Sequence, residues 1–497
     1  MRRLLIVEII GLVAILAIFV VYEVNYVAPM DDYISDECWY VSAARNILRK
    51  VFKAVPKHEG NYVRVTIELV RPLDREQYYE WLNDVKNYIM FVLNGTIVKD
   101  ESYYMYSDEG NYLPAICVDI PKLNLRYINA TPHMRQYAIG YCYPNANGVL
   151  DYLNLEHPPI AKYVIALMMV VFGDKPIFWR LPSIISAALI LLLTYLAVRR
   201  IIPEYKASMA LGFITVLAIA LDITFRSLSM VAMLDIYIAL FTFLTYYLAL
   251  TRRFRLGILA LSLGVTTKFN GGFPYPALLA KIARDIGDKL KFIAYLVLSV
   301  MVPILILFTF SIPLIANLGF SRWWNEAIVG AIRWHLSIKT LGGPPQSAPW
   351  EWFLGINPFP LHLIYDPETQ QWVADLIAKG NPPLYILTLA LSLLLIPVFK
   401  ELPDEGFTYV YTWVTYLMYV AIWFLGARTQ YSFYMVQIVP LIYTLLFIEV
   451  YYIVTPINRI IYVLRSWKEM LSNLRGNIKR LIKEVYSLLR RVLIRIR

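Results

Sequence analysis

The chain alternates long apolar runs with short charged connectors. Leu4–Tyr22 approaches the roughly 20 residues that a helix needs to cross a bilayer. Later runs of the same kind are Phe178–Val198, Ala207–Phe225, Leu234–Leu250, Leu256–Thr267, Gly272–Ile282, Phe292–Ile315, Pro383–Phe399, Thr408–Leu425 and Phe433–Val454. Pro158–Phe172 is apolar but short. The connectors Arg199-Arg200, Arg252/Arg253/Arg255 and Lys281–Lys291 all fall on the cytoplasmic side only if Pro158–Phe172 does not cross. It is therefore read as an interfacial or re-entrant helix, which leaves about ten crossings and both termini cytoplasmic. A single longer helix over Leu256–Ile282 would reverse that parity.

Two polar intervals interrupt the pattern. Between Glu23 and Leu155, Asn61–Val70 alternates like a strand, Arg75–Leu93 has helical periodicity, and Tyr112–Ile120 reads as a second strand. These predict a small α+β domain outside the membrane, and the sequons Asn94-Gly95-Thr96 and Asn129-Ala130-Thr131 suit an outside loop. The second interval, Gly319–Asn381, carries Trp323, Trp324, Trp334, Trp350, Trp352 and Trp372, an aromatic density that suits a segment lying along the outer leaflet. The expected fold is an all-α polytopic membrane protein of about ten to eleven transmembrane helices. Its divisions are a first transmembrane helix (1–22), a loop with an acidic motif and a small α+β domain (23–157), a membrane region with an interfacial helix (158–318), a Trp-rich segment (319–382), three further helices (383–455) and a basic amphipathic tail (456–497).

Composition narrows the class. A chain that is 59% hydrophobic, with mean hydropathy +0.53, is not a soluble protein. The net charge of +11 is concentrated at the end, where Arg459–Arg497 holds eleven Lys/Arg against two Glu. A basic juxtamembrane helix of this kind faces anionic lipid rather than nucleic acid. The run after Met1-Arg2-Arg3 lacks a small-x-small cleavage site and reads as a retained anchor. Three cysteines make no metal framework. Cys117 and Cys142 share one polar loop, where pairing and free thiols both remain open.

With this topology the membrane-end charges gather on one face. Asp36 and Glu37 belong to a cluster of four carboxylates in Asp31–Glu37, just past the first helix. Lys162, Arg180, Arg226, Asp235, Lys268, His335 and Arg428 follow on the same side. Charge near a bilayer is costly, so such residues pair or serve a pathway. Each also has a plainer role: cations at helix ends reach for headgroups, and Asp36-Glu37 suits the cap of a helix over Cys38–Phe52. Their joint placement suits an anionic, lipid-embedded substrate. Cleaving a sugar–phosphate bond needs cations on the departing phosphate and a carboxylate that takes the proton of the attacking hydroxyl. One base opposite a leaving phosphate implies direct displacement, with inversion at the anomeric carbon.

The same residues stand in motifs. Asp36-Glu37, His157-Pro158-Pro159-Ile160-Ala161-Lys162, Arg180-Leu181-Pro182, Arg226 through Leu234-Asp235, Lys268-Phe269-Asn270-Gly271, Trp334-His335, Gly380-Asn381-Pro382 and Arg428 to Pro440 resemble, in order, the elements of the protein O-mannosyltransferase family of GT-C membrane glycosyltransferases. The resemblance implies an extracytoplasmic site at which mannose passes from dolichyl (polyprenyl) phosphate to Ser or Thr of exported proteins. It implies Asp36 as base, Glu37 holding the acceptor and Asp235 supporting the site. It places His157, Lys162, Arg180, Arg226, Lys268 and Arg428 around the donor phosphate and lipid, and Trp334 and His335 on acceptor or sugar. No metal or other cofactor is implied, and the partners are a lipid-linked sugar, a protein or peptide acceptor and membrane lipid. The sequence departs from the family at Glu156, which directly precedes the His where the acid more often stands one place earlier. It departs again at Tyr431-Ser432-Phe433-Tyr434, which lacks Tyr-His-Tyr, and it has no β-trefoil insertion. These features suit an archaeal member. Related enzymes move aminoarabinose or other sugars to lipids and polymers; a transporter would show internal repeats and charges at mid-span.

Overall fold

The structure is a computed structural model that describes residues 2–31, 33–57, 61–70, 75–99, 105–106, 112–113, 115–140, 149, 151–336, 345–366, 368–454, 461–474 and 476. It is a helical, polytopic membrane protein carrying a small sheet domain. Helix α1 (Arg2–Val27) runs on past Tyr22, and Tyr22 and Tyr26 stack on one another on its last turns. A tight turn at Ser35 (φ 52°) leads into α2 (Glu37–Lys50), an amphipathic helix buried along most of its length.

The loop domain forms as the alternation predicts, with more strands. Its elements are β1 (Tyr62–Leu69), α3 (Arg75–Phe91), β2 (Thr96–Lys99), the short pair β3 (Met105–Tyr106) and β4 (Tyr112–Leu113), β5 (Ala115–Pro121) and β6 (Met134–Ile139). Four strands make one sheet in the order β2-β5-β1-β6. Val63, Val65 and Ile67 of β1 and Ile116, Val118 and Ile120 of β5 point to one face, where they close a core with Leu82, Val85 and Ile89 of α3. On the other face Cys117 is disulfide-bonded, whereas Cys38 of α2 is buried against Val149; Cys142 lies outside the described residues.

In the membrane region, α4 (Ile160–Val171) has 12 residues, about 18 Å at 1.5 Å per residue, too little for a hydrocarbon core of about 30 Å. Both its ends are tied to neighbouring segments. The Ile160 N–H donates to Thr266 O (3.3 Å), and the Lys57 N–H reaches Met169 O (2.9 Å). There follow α5 (Pro176–Ile201), α6 (Tyr205–Ala220), α7 (Ile223–Ser229), α8 (Asp235–Leu250), α9 (Phe254–Val265), α10 (Tyr275–Asp285) and α11 (Lys289–Leu318). By length and composition four helices can span, namely Leu4–Val27, Pro176–Ile201, Lys289–Leu318 and Pro382–Phe399; α6 and α7, bent by 68°, make a fifth if counted as one. The bend has a local cause. Asp222 accepts the Phe225 N–H (3.0 Å) and restarts the helix, while the Tyr385 (2.7 Å) and Tyr443 (3.0 Å) hydroxyls donate to the same carboxylate.

Helices α9 and α10 are two short helices that double back on one another's course rather than one long helix. Arg252, at the start of the excursion, pairs with Asp285 at its end (3.1 Å). Lys268, at the far end, meets Asp235 at the first turn of α8.

The Trp-rich interval holds the short helices α12 (Phe320–Trp323), α13 (Gly330–Leu336) and α14 (Pro349–Trp352), with a π-helical turn, Trp324–Val329, between the first two. It also holds a hairpin that the aromatic content did not foretell, β7 (Phe359–Asp366) with β8 (Gln371–Ala378). The hairpin is pinned at its base: Phe359 N–H donates to Ser432 Oγ (2.9 Å) and Ser227 Oγ donates to Ile377 O (3.1 Å). There follow α15 (Pro382–Phe399), α16 (Pro403–Phe424) and α17 (Val439–Val454), and residues 461–474 are again helical.

Candidate active site

Asp36 stands at the N-cap position of α2. Its carbonyl takes the Trp39 and Tyr40 N–H groups (3.0 Å each), but its side chain makes no capping bond. The carboxylate instead lines a cavity of about 330 Å³, together with Lys268, Glu156 and His157. Trp39, Tyr40, Tyr431, Phe433 and Tyr434 supply its aromatic walls. Burial first, and then the Asp36 carboxylate, hold the Tyr40 phenol well above its ordinary value, so it stays a hydrogen donor.

Lys268 is delivered to this cavity by a tight construction. A 3₁₀ turn, Phe269–Gly272, folds back on α9, and Gly271 sits so close to Gly264 that a Cβ there would lie 2.4 Å from its carbonyl. Asp235, buried, accepts two bonds from Lys268 Nζ (2.8 and 3.1 Å). The ammonium also lies 4.4 Å from the centre of the Tyr434 ring. Gln437 ties the turn to the aromatic wall: its amide donates to Asn270 O (3.1 Å) and to Thr242 Oγ1 (2.8 Å). Asp235 thus holds the Lys268 ammonium in place.

Other anticipated residues are placed around the cavity rather than in it. Glu37 and Arg180 form a buried bidentate pair (2.9 and 2.8 Å). The remaining capacity of Glu37 goes to the Ile34 and Ala232 N–H groups (2.8 Å each), and Arg180 also donates to Met30 O (2.7 Å). This knot joins α1, α2, α5 and the turn before α8, and holds Asp36 from behind. Lys162 is fully buried and turns back on its own loop, donating to His157 O (2.7 Å) and to the carbonyl of Asn154. It therefore shapes the loop that presents Asn154, Glu156 and His157. Arg226 pairs with Glu23 (3.3 Å) and lies over the Tyr22 ring (4.6 Å) at the end of α1. Arg428 is exposed beside Thr429, which lines the cavity. Trp334 and His335 fall on α13, and their side chains lie outside the described residues.

Glu156, Tyr152, Asn154 and Tyr431–Tyr434 enter the site without having been singled out for it. Glu156 accepts from the Tyr152 hydroxyl and from Asn154 Nδ2 (3.1 Å), so the cavity holds a second, ordered carboxylate. Its signal was the acidic residue next to His157-Pro158-Pro159; that of the aromatics was their clustering before α17. Among the described residues no group of three or more His, Cys, Asp or Glu side chains stands close enough to hold a metal ion.

A further pair braces α2 from the side. Arg45 grips Asp174 with two bonds (2.6 and 2.9 Å), and Trp179 Nε1 donates to the same carboxylate (3.0 Å). Burial opposes ionisation of Asp174, but Arg45, with help from Arg49 and Trp179, outweighs it and holds the carboxyl below its ordinary value.

Residues 156–312, about a third of the chain, match the sequence model of a family described as dolichyl-phosphate-mannose-protein mannosyltransferase. The matched stretch contains His157, Lys162, Arg180, Arg226, Asp235 and Lys268, and leaves Asp36 and Arg428 outside. No curated protein matches. Among solved structures, the chain is similar to ArnT from Cupriavidus metallidurans bound to undecaprenyl phosphate, at 17% identity and TM-score 0.41 over 65% of this chain and 53% of that one. It is also similar to the apo oligosaccharyltransferase of Archaeoglobus fulgidus, at 12% identity and TM-score 0.35 over 86% and 51%. The chain thus spans about half the length of the solved structures it matches.

Proposed function

We propose that the protein is a membrane glycosyltransferase of the GT-C class that takes mannose from a dolichyl (polyprenyl) phosphate and transfers it, with inversion, to Ser or Thr hydroxyls of exported proteins. The observation that carries this reading is the meeting of Asp36 and Lys268 in one aromatic-walled cavity, with Lys268 inside the stretch that matches the family model and Asp36 supplied from outside it. Asp36 takes the proton of the acceptor hydroxyl as its oxygen attacks the anomeric carbon. The sugar–phosphate bond breaks on the opposite side, and the electron pair leaves with the phosphate. Lys268, with Arg428 at the rim, stabilises the departing charge. Glu37, Arg180, Lys162 and Asp235 hold these groups in place.

A second reading concerns the sugar. Among the described residues the cavity is lined by two carboxylates, Asp36 and Glu156, and one ammonium, that of Lys268. A second carboxylate is suited to a sugar bearing an amine, such as an aminoarabinose-like donor, passed to a lipid or polymer. The test is transfer in membranes from radiolabelled dolichyl-phosphate mannose to a Ser/Thr-rich peptide, with an aminosugar polyprenyl phosphate and a lipid acceptor run in parallel. Labelled peptide supports the mannose reading; label only from the aminosugar donor replaces it.

A further inference from the structure

The loop domain is connected to the cavity through one strand. Strand β6 is an edge of the four-stranded sheet. Gly140 N–H donates to Arg64 O (2.9 Å), and Ala138 and Gln136 stand opposite Thr66 and Glu68 of β1. Because hydrogen-bonded and non-bonded pairs alternate in an antiparallel ladder, Tyr137 and Ile139 turn their N–H and C=O groups away from β1. Among the described residues no strand pairs with that side. Edges left open are usually blunted by charge or proline, and Tyr137-Ala138-Ile139 carries neither.

The strand ends beside the candidate site. Ala138 and Trp39 both pack against one small cluster, formed by Cys38 of α2 and Val149. Trp39 lines the cavity and meets Tyr152 edge-on at 5.5 Å. Gly140, with φ +122°, lies directly on Arg45: a Cβ there would be 2.3 Å from the guanidinium carbon. The end of β6 therefore rides on α2, the helix whose N-cap is Asp36.

We infer that the outer edge of β6 takes up the acceptor polypeptide as an added strand and leads its hydroxyl residue past Trp39 into the cavity. The inference rests on the polypeptide acceptor proposed above. Strand addition gives affinity through the backbone, which suits an enzyme that acts on Ser and Thr in many sequences.

The test uses the full chain in lipid nanodiscs with polyprenyl-phosphate mannose and three versions of one Ser/Thr peptide: unmodified, and N-methylated on either set of alternate amides. One methylated set should raise the peptide KM about tenfold, as loss of two or three hydrogen bonds would, while the other set behaves like the parent. Tyr137→Pro removes an N–H that does not serve the β1 ladder. It should raise the peptide KM similarly and leave slow donor hydrolysis without peptide unchanged. Equal effects of the two methylated sets, or a wild-type peptide KM in Tyr137→Pro, overturn the docking edge while the transferase reading stands. Donor hydrolysis or lipid labelling with no peptide labelled by the wild type overturns the polypeptide acceptor, and the docking edge with it.

Discussion

Glu37 and Arg180 face each other as a buried bidentate pair (2.9 and 2.8 Å), one residue from the carboxylate that lines the cavity. Two adjacent acids therefore have separate work: Asp36 faces the cavity, and Glu37 faces the protein.

This division predicts the effect of Arg180→Ala. It strands Glu37 without its cation and should cost about 3–5 kcal/mol, as for a broken buried pair. Thermal unfolding in detergent should show the loss. Wild-type stability with a raised donor KM would instead make Arg180 a phosphate ligand.

Asp36→Asn keeps the shape of the side chain and removes the proposed base. Transfer to a peptide should fall about 10²–10⁴-fold, with donor binding and melting temperature held. Unchanged single-turnover rates would take Asp36 out of the mechanism.

Asp235 and Lys268 should behave as a unit. Either Asp235→Leu or Lys268→Met alone leaves a buried charge uncompensated, at about 3–5 kcal/mol, whereas the double variant removes both charges and should be more stable than either single one. All three should lose transfer, because the ammonium is absent or misplaced. A double variant with additive instability would show that the two do not share one interaction.

Gly271→Ala tests the delivery of Lys268. Its Cβ would meet backbone, the Gly264 carbonyl, at 2.4 Å, and backbone cannot swing aside. A cost of about 1–3 kcal/mol is expected for such overpacking, with donor affinity lowered as the turn shifts. A variant with normal stability and donor KM would mean that the turn adapts freely.

The Arg45–Asp174 brace sets a pH response. Asp174 has a folded pKa below its unfolded value, so its contribution is complete above about pH 3.9 and is lost as pH falls through the folded value. Thermal melts of the wild type and Asp174→Asn should differ most near neutrality and converge in acid. A difference that grows in acid would contradict the assignment.

Much of this protein is legible in its sequence because apolar runs answer to the bilayer locally. The short α4, the α9–α10 reversal and the strands around Val65 and Val118 follow from run length, basic connectors and alternation. Asp36 and Lys268 were singled out there as charges at helix ends that need a reason, and the structure brings both to one cavity. What only the tertiary structure decided is which charges spend themselves on each other. Arg180, Lys162 and Arg226 read from sequence as cations facing a phosphate, yet their partners are Glu37, the carbonyls of residues 154 and 157, and Glu23. Glu37 and Arg180 are 143 residues apart, and no local pattern records such a pairing. In a low-dielectric interior a cation is satisfied by whichever oxygen the packing brings within about 3 Å, and that is settled by how the helices cross.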